Sequence, residues 1–177
     1  MKYVLLLRGI NVGGKNKVSM AEFKEMISHL GYTNVISYIN SGNIIFDTSD
    51  SIETINQNIS IILNTYPFKI NKVILSRSEY LEELENLPSW WFNDSYRKDV
   101  LFYTNEIDYS FMRARIEQMP LLDEAVHFGK NAVFWDKYNE NSYLKTSYHK
   151  YLIKESFYKS VTIRNSRTFE KIADLLK

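Results

Sequence analysis

The sequence predicts an α+β fold of two consecutive ferredoxin-like subdomains, each with the element order βαββαβ and an antiparallel sheet. Short apolar runs of strand length alternate with segments whose apolar residues recur at helical spacing. Turn residues separate the two middle strands of each half. The same order of elements occurs twice along the 177 residues, and a split βαβ arrangement accounts for each occurrence. A linking helix between the halves and a C-terminal helix complete the predicted fold.

The first subdomain is expected to occupy residues 1–75. Its first strand is an unbroken apolar run, which is typical of a strand covered on both faces. A capping box at Ser19–Glu22 starts the first helix, and Gly31 ends it. The elements in order are strand Tyr3–Leu7, the helix after Ser19, strands Val35–Ile39 and Ile44–Phe46 around the turn Asn40–Asn43, a helix with apolar residues from Ile52 to Ile62, and strand Val73–Leu75.

Residues 76–98 are predicted to link the halves through a helix and an aromatic segment. The helix has a second capping box at Ser76–Glu79 and is expected to stop at Pro88. The aromatic residues that follow, Ser89–Phe92, lie in the acidic third of the chain. A platform for stacking nucleic-acid bases needs positive charge beside it, so we interpret this segment as a buried plug between the halves.

Residues 99–177 are predicted to form the second subdomain and the C-terminal helix. The two halves share their order of elements and no evident sequence similarity. The expected elements are strand Val100–Tyr103, a helix from about Asp108, strands Ala125–Phe128 and Ala132–Trp135, a helix from about Thr146, strand Val161–Ile163 and a final helix that carries Phe169 and Leu176.

Composition restricts the class of protein. Apolar residues make up 45% of the chain and aromatic residues 15%, which excludes a disordered protein. No apolar run approaches the ~20 residues of a membrane helix, so we expect no membrane partner. The chain has no cysteine, which removes disulfides and thiolate metal sites, and no leader is recognisable. We therefore expect a cytoplasmic protein.

Charge is unevenly distributed along the chain, although the net charge is only +1. Residues 1–75 carry 7 basic and 5 acidic side chains, residues 76–139 carry 7 and 12, and residues 140–177 carry 8 and 4. A site for an anionic ligand is therefore expected to be built from the two terminal segments of the chain.

A glycine-rich, basic loop follows the first strand and is the main candidate for an anion site. Glycine permits positive φ, so several backbone N–H groups could converge on one anion while lysine and arginine supply charge. A simple strand-to-helix connection explains the same residues. The Walker A spacing is also nearly present in Gly9–Asn16, but Asn16 lacks the hydroxyl that holds magnesium, which argues against a nucleoside triphosphatase.

Two further segments are candidates for the same site: the turn Asn40–Asn43 is predicted to neighbour the loop, and the sequence leaves open whether Arg164–Thr168 reaches it. In a βαββαβ unit the exit of the first strand and the middle hairpin fall at the same end of the sheet, so the turn Asn40–Asn43 should lie beside the loop. The segment Arg164–Thr168 places two arginines at a helix start, which suits a phosphate clamp or plain helix capping. The predicted ligand-binding residues are Arg8, Asn11, Gly13, Gly14, Lys15, Asn16, Lys17, Asn40, Ser41, Asn43, Arg164, Asn165, Arg167 and Thr168.

Catalytic and metal-binding patterns give no assignment. The sequence contains no G-x-S-x-G elbow. The three histidines, His29, His127 and His149, are far apart and lack the spacing of metal ligands, so we expect no metal site. The sequence indicates no particular cofactor and no catalytic residue.

The motifs around the loop resemble a known family. Leu6–Asn16 and Tyr38–Asn43 are similar to the opening signature of the bacterial "domain of unknown function 1697" proteins, and Thr162, Arg164, Asn165 and Thr168 to its closing signature. The chain has Ser166 where that family usually has an aromatic residue. The resemblance implies a stand-alone cytoplasmic protein with two ferredoxin-like subdomains, and it implies no activity.

These observations leave three functional hypotheses. The first is a protein that binds a phosphate-bearing small molecule or nucleic acid at loop 8–17. The second is a small enzyme of phosphoryl or acyl-phosphate hydrolysis or transfer, because acylphosphatases are ferredoxin-like and use an arginine and an asparagine much as Arg8 could act with Asn40 or Asn43. The third is a protein-interaction module with purely structural motifs.

Overall fold

The computed structural model describes residues 1–104 and 106–177 and contains two four-stranded antiparallel sheets. The strands are β1 Lys2–Leu7, β2 Thr33–Tyr38, β3 Asn43–Asp47, β4 Lys72–Ser76, β5 Arg97–Tyr103, β6 Glu124–Phe128, β7 Ala132–Lys137 and β8 Val161–Asn165. The α-helices are α1 Met20–His29, α2 Ile52–Leu63, α3 Arg77–Glu85, α4 Tyr109–Glu117, α5 Ser147–Lys150 and α6 Ser166–Leu176.

The first sheet has the strand order β2-β3-β1-β4, which is the ferredoxin-like arrangement. Central strand β1 is antiparallel to both neighbours, with Leu5 opposite Ile44 on β3 and Ile74 on β4. Helices α1 and α2 cover one face of this sheet through an apolar cluster that includes Phe23 and Ile59. The order βαββαβ predicted for the first half is confirmed.

The second sheet repeats this order as β6-β7-β5-β8. The predicted helix from Thr146 is much shorter than expected. Only Ser147–Lys150 is α-helical, and 3₁₀ turns at Leu152–Lys154 and Ser156–Ser160 follow it. Serine, histidine and tyrosine in this segment are weak helix formers, and Glu155 has an extended backbone that separates the two turns.

The two sheets share a core, so the subdomains are packed together. The other face of the first sheet and one face of the second enclose α3, α6 and the 3₁₀ turn Ser89–Phe92. Trp91 is 3% exposed there and contacts Phe134 and Phe169 edge to face, as expected for a plug. Helices therefore alternate with sheets from α1 and α2 on one side to α4 on the other.

The helix starts follow the predicted caps. Ser76 and Glu79 form a complete capping box, whereas at α1 only the Ser19 half is made, with Ser19 Oγ accepting from the Glu22 N–H. Helix α3 ends at Glu85, three residues before Pro88, because Asn86 already leaves the helical conformation.

Candidate functional site

The glycine-rich loop folds into a small hairpin. Lys15 N donates to Val12 O at 3.0 Å, and Gly13 and Gly14 occupy the turn with φ of +57° and +75°. Positive φ at both central positions defines a type I′ turn, which requires glycine or asparagine. The glycines thus have a conformational role. Helix α1 begins only at Met20, so the loop does not surround a helix start as a Walker A loop does.

Two asparagines of the predicted site hold this hairpin in place. Asn11 Nδ2 donates to Val18 O at 2.9 Å and to Asn40 O at 2.8 Å, and Asn11 Oδ1 accepts from Val18 N. Asn16 Nδ2 donates to Gly9 O at 3.0 Å. The bond from Asn11 to Asn40 places the loop beside the turn, as the topology predicts.

The outer part of the hairpin is exposed, from Val12 to Lys17. Within the described residues, no hydrogen bond is made by the side chains of Lys15 and Lys17 or by the N–H groups of Gly13 and Gly14. These groups project from the first subdomain as a basic tip.

Arg8 connects the loop to the second subdomain. Its guanidinium donates to the carbonyl oxygen of Val161 on β8 and lies 5.0 Å from the centre of the Tyr158 ring. Burial lowers the pKa of Arg8 from its ordinary value. The side chain is therefore part of the contact between the subdomains as well as a charge near the loop.

Arg164 is the centre of that contact. It is 6% exposed, and every N–H of its guanidinium can be assigned to an acceptor inside the protein. Its acceptors are Asn43 Oδ1 at 2.5 Å, Leu7 O at 2.8 Å, Ile163 O at 2.9 Å, Thr162 Oγ1 at 3.0 Å, Ser41 O at 3.1 Å and Gly42 O at 3.3 Å. Burial lowers the pKa of Arg164 to about 10.

The turn Asn40–Asn43 is thus clamped between the loop and β8. Asn43 is buried, and its Nδ2 donates to Tyr38 O and Ser41 Oγ, both at 3.0 Å. With Oδ1 bonded to Arg164, the amide of Asn43 is saturated by protein atoms. Asn40 is exposed and contributes its carbonyl oxygen to Asn11.

The remaining predicted residues mark the start of α6. Asn165 is the N-cap, and its Oδ1 accepts from Thr168 N at 2.8 Å. Thr168 is buried and Arg167 is exposed. The sequence left open whether the segment Arg164–Thr168 reaches loop 8–17. In the structure its first residue, Arg164, bonds Leu7 O immediately before that loop and Ser41 O in the turn.

A cleft of about 630 Å³ lies at this junction between the subdomains. Its lining includes four of the predicted residues: Ser41, Arg164, Asn165 and Thr168. The rest of the lining comes from Ile39, from β5 and β8, and from the segment after β7: Arg97, Asp99, Tyr143, Tyr148, His149, Leu152, Ile153, Tyr158 and Ile163.

Asp99 is the most unusual residue of the cleft wall, and the sequence analysis did not identify it. It is fully buried, and its Oδ2 accepts from Lys137 Nζ at 2.7 Å and from Arg97 Nε at 2.9 Å. Lys137 is also fully buried and lies 3.8 Å from the centre of the Tyr148 ring. Desolvation lowers the pKa of Lys137 to about 8, although Asp99 opposes this shift.

Glu124 positions the tyrosine of this group. Its carboxylate accepts from Ser147 N at 2.8 Å and from Tyr148 N at 2.9 Å, so it caps the first turn of α5. The same carboxylate accepts from Trp135 Nε1 at 3.0 Å in the core. These bonds fix Tyr148 against β7. Burial, followed by the nearby Asp99 carboxylate, raises the pKa of Tyr148.

A second cleft, of about 620 Å³, lies between α2, β4 and the end of β5. None of the predicted ligand residues lines it. Its lysines have partners: Lys69 pairs with Glu106 at 2.8 Å, and Lys72 donates to Ser60 at 2.8 Å. The cleft with Arg164 and Asp99 is therefore the better candidate site.

The geometry supports a metal site, a membrane-spanning helix or an acylphosphatase-like pair less well than it supports the cleft. Residues 1–104 and 106–177 contain no group of three or more His, Cys, Asp or Glu side chains placed to hold a metal ion. None of their helices combines the length and apolar content that crossing a bilayer requires. Acylphosphatases suggested Arg8 with either Asn40 or Asn43. Arg8 and Asn43 both bond protein atoms, and Asn40 is exposed. Hydrolysis of phosphorylated substrates stays a hypothesis.

The fold and the cleft define a protein of two ferredoxin-like subdomains with a basic junction between them. Residues 1–134 match the model of the family described as "Protein of unknown function (DUF1697)", and the chain belongs to that family. No curated protein matches the chain. A solved structure of a conserved bacterial protein, SP0830 from Streptococcus pneumoniae, is 49% identical, covers 99% of this chain and 98% of its own, and superposes with a TM-score of 0.95.

Proposed function

We propose that the protein binds a phosphate-bearing ligand, a nucleotide or the backbone of a nucleic acid, where loop 8–17 meets the cleft between the subdomains. The observation that carries this proposal is the buried guanidinium of Arg164. Within the described residues its hydrogen-bond partners are neutral, and no carboxylate pairs with it. A buried charge without a counter-charge is costly, and an anion in the adjacent cleft would offset that cost.

The surrounding charges support an anionic ligand. Arg97 and Arg164 line the cleft, and Lys137 lies behind Arg97 and Asp99. Asp99 is the one carboxylate among the described lining residues, so the wall carries an excess of positive charge. In a partly desolvated cleft such an excess attracts anions more strongly than the same charges would in open water.

Two backbone features add to the positive electrostatic potential at the cleft. Helix α6 begins at the cleft, and the N-terminal end of a helix favours negative charge. The exposed hairpin offers the N–H groups of Gly13 and Gly14 together with Lys15 and Lys17. Asn11 bonds Asn40, and the next residue of that turn, Ser41, lines the cleft, which supports including the hairpin in the proposed site.

The proposal is tested by thermal unfolding of the wild-type protein with phosphate, sulfate, nucleotides and short oligonucleotides at low ionic strength. A ligand at a hundredfold excess over its dissociation constant should add about 2.7 kcal/mol to the free energy of unfolding. We expect that shift to shrink in the double variant Lys15→Ala/Lys17→Ala and to persist in Lys171→Ala, which removes an exposed lysine from the middle of α6. If no anion stabilises the wild type, the proposal is wrong.

A further inference from the structure

The deep part of the cleft contains a buried polar atom without a partner. Asp99 Oδ1 makes no hydrogen bond in the part of the chain that the structure describes, whereas Oδ2 of the same carboxylate accepts from two cations. A buried acceptor without a donor has lost its bonds to water without replacing them, which is unfavourable. A ligand group that donates to Oδ1 would replace those bonds.

Asp136 shows that such an atom does not by itself indicate a site. Its Oδ1 is also buried without a partner, but Asp136 does not line the cleft, and burial raises its pKa, which favours the neutral acid. Asp99, by contrast, lines the cleft and is held between Arg97 and Lys137. Among the residues that the structure describes, Asp99 is the one at which the unpaired oxygen and the cavity coincide.

The walls near Asp99 are aromatic and aliphatic. Tyr143 and Tyr148 line the cleft together with Leu152, and the apolar side chains Ile39 and Ile153 at its rim are 51% and 60% exposed. An aromatic wall suits a flat heterocycle, because bases stack favourably on aromatic rings. The volume of about 630 Å³ lies within the usual range for small-molecule sites.

We propose that the cleft takes the nucleoside end of a nucleotide, whose base lies against the tyrosines and donates from an amino group to Oδ1 of Asp99. This inference rests on the proposed phosphate function, which supplies the other end of the ligand. It selects a nucleotide over a polymeric nucleic acid, because the acceptor is enclosed in a cleft and reads one base edge. Adenine, guanine and cytosine carry such an amino group.

Calorimetric titration of the wild-type protein separates the two proposals. The simple probes are inorganic phosphate, ribose 5-phosphate and the nucleoside adenosine. The other probes are three pairs of 5′-monophosphates that differ at the amino group of the base: those of adenosine and purine riboside, of guanosine and inosine, and of cytidine and uridine. We expect one amino-bearing nucleotide to bind at least tenfold more tightly than ribose 5-phosphate. Its partner without the amino group should lose about tenfold in affinity, as expected for one buried hydrogen bond.

Each outcome has a distinct consequence. Equal affinity for nucleotides and ribose 5-phosphate would overturn the base site and leave the phosphate function standing. Adenosine could instead bind as tightly as its monophosphate while inorganic phosphate does not bind. That result would overturn the phosphate function and support the base site. Absence of binding to every probe would overturn both.

A variant then locates the base contact. Asp99→Asn alone leaves the buried ammonium group of Lys137 without its counter-charge, so Asp99→Asn/Lys137→Met, which removes the buried pair together, is the more stable choice. Discrimination within the tightest-binding pair should fall to less than threefold in this variant. Asp136→Asn is the matched control and should keep the discrimination. Wild-type discrimination in a folded Asp99→Asn/Lys137→Met protein would overturn the assignment of Asp99.

Discussion

Arg164 Nη2 donates to the carbonyl oxygen of Leu7 at 2.8 Å, so the last strand of the chain is bonded directly to the end of the first. The same guanidinium bonds Asn43 Oδ1 at 2.5 Å and thereby holds the turn between β2 and β3. One buried side chain therefore bonds both subdomains, in addition to their shared core, and lines the cleft between them.

Replacement of Arg164 should strongly destabilise the protein. Arg164→Ala leaves Asn43 Oδ1 buried without a donor and leaves Leu7 O with the Thr162 hydroxyl as its remaining side-chain donor. Loss of several charge-assisted bonds outweighs the relief of a desolvated charge. We expect the free energy of unfolding to fall by about 3 kcal/mol. Urea unfolding measures it, with exposed Arg167→Ala as the matched control, expected within about 0.5 kcal/mol of wild type. Equal urea midpoints for the two variants would show that the hydrogen bonds of Arg164 contribute nothing to stability.

Gly42 allows the turn to approach β1 closely. A Cβ at this position would lie 2.6 Å from Leu7 Cβ and 2.9 Å from Ile10 Cδ1, and φ is +79°. Gly42→Ala should therefore combine an unfavourable backbone conformation with a clash in the core, and we expect a loss of about 3 kcal/mol in urea unfolding.

Gly31→Ala is the control for Gly42→Ala. Gly31 has φ of +86°, and no atom lies within 4 Å of the position that its Cβ would take, so this variant bears the backbone cost alone. That cost is about 1–2 kcal/mol. The difference between the two variants measures the clash, and the absence of a difference would contradict the close packing of the turn on Leu7.

Asn11 is expected to keep the basic hairpin ordered. Asn11→Ala removes three hydrogen bonds to Val18 and Asn40, and we expect several-fold faster cleavage by trypsin after Lys15 and Lys17, because proteolysis requires local opening. Asn16→Ala is the control: Asn16 also has positive φ but gives up only one such bond. Equal cleavage of both variants would argue against the anchoring role of Asn11.

The sequence predicted the features that depend on local pattern and on topology. Apolar periodicity and caps predicted both βαββαβ units, and their topology placed Asn11 beside Asn40. The partners of Arg164 were beyond this reasoning, because they depend on how the two units pack. An arginine at a helix start looks the same whether it is buried between subdomains or solvated.

The pair of Asp99 and Lys137 was missed for a related reason. Each lies at the end of an apolar strand, where a charge normally marks the boundary with solvent. The register of β5 and β7 places both charged side chains on one face of the sheet. Asp99 is opposite Trp135, and Lys137 lies two residues further along β7, opposite Arg97. Lys137 is therefore a diagonal neighbour of Asp99. The segment after β7 then covers both residues, and its irregular 3₁₀ turns have no periodic signal.

The buried lysine gives a prediction about pH. The pKa of Lys137 is about 8 in the folded protein, against an ordinary value of 10.5. Between these values the unfolded chain binds the proton that the folded protein has released, so the contribution of Lys137 to stability rises with pH. Below pH 8 both states are protonated and the folded protein bears the full cost of the buried charge.

We therefore expect the free energy of unfolding of wild type, relative to Lys137→Met, to increase from pH 8 to pH 10. Urea titrations across this range, with exposed Lys145→Met as the control for loss of a lysine, measure the change; a constant difference between wild type and Lys137→Met would contradict it.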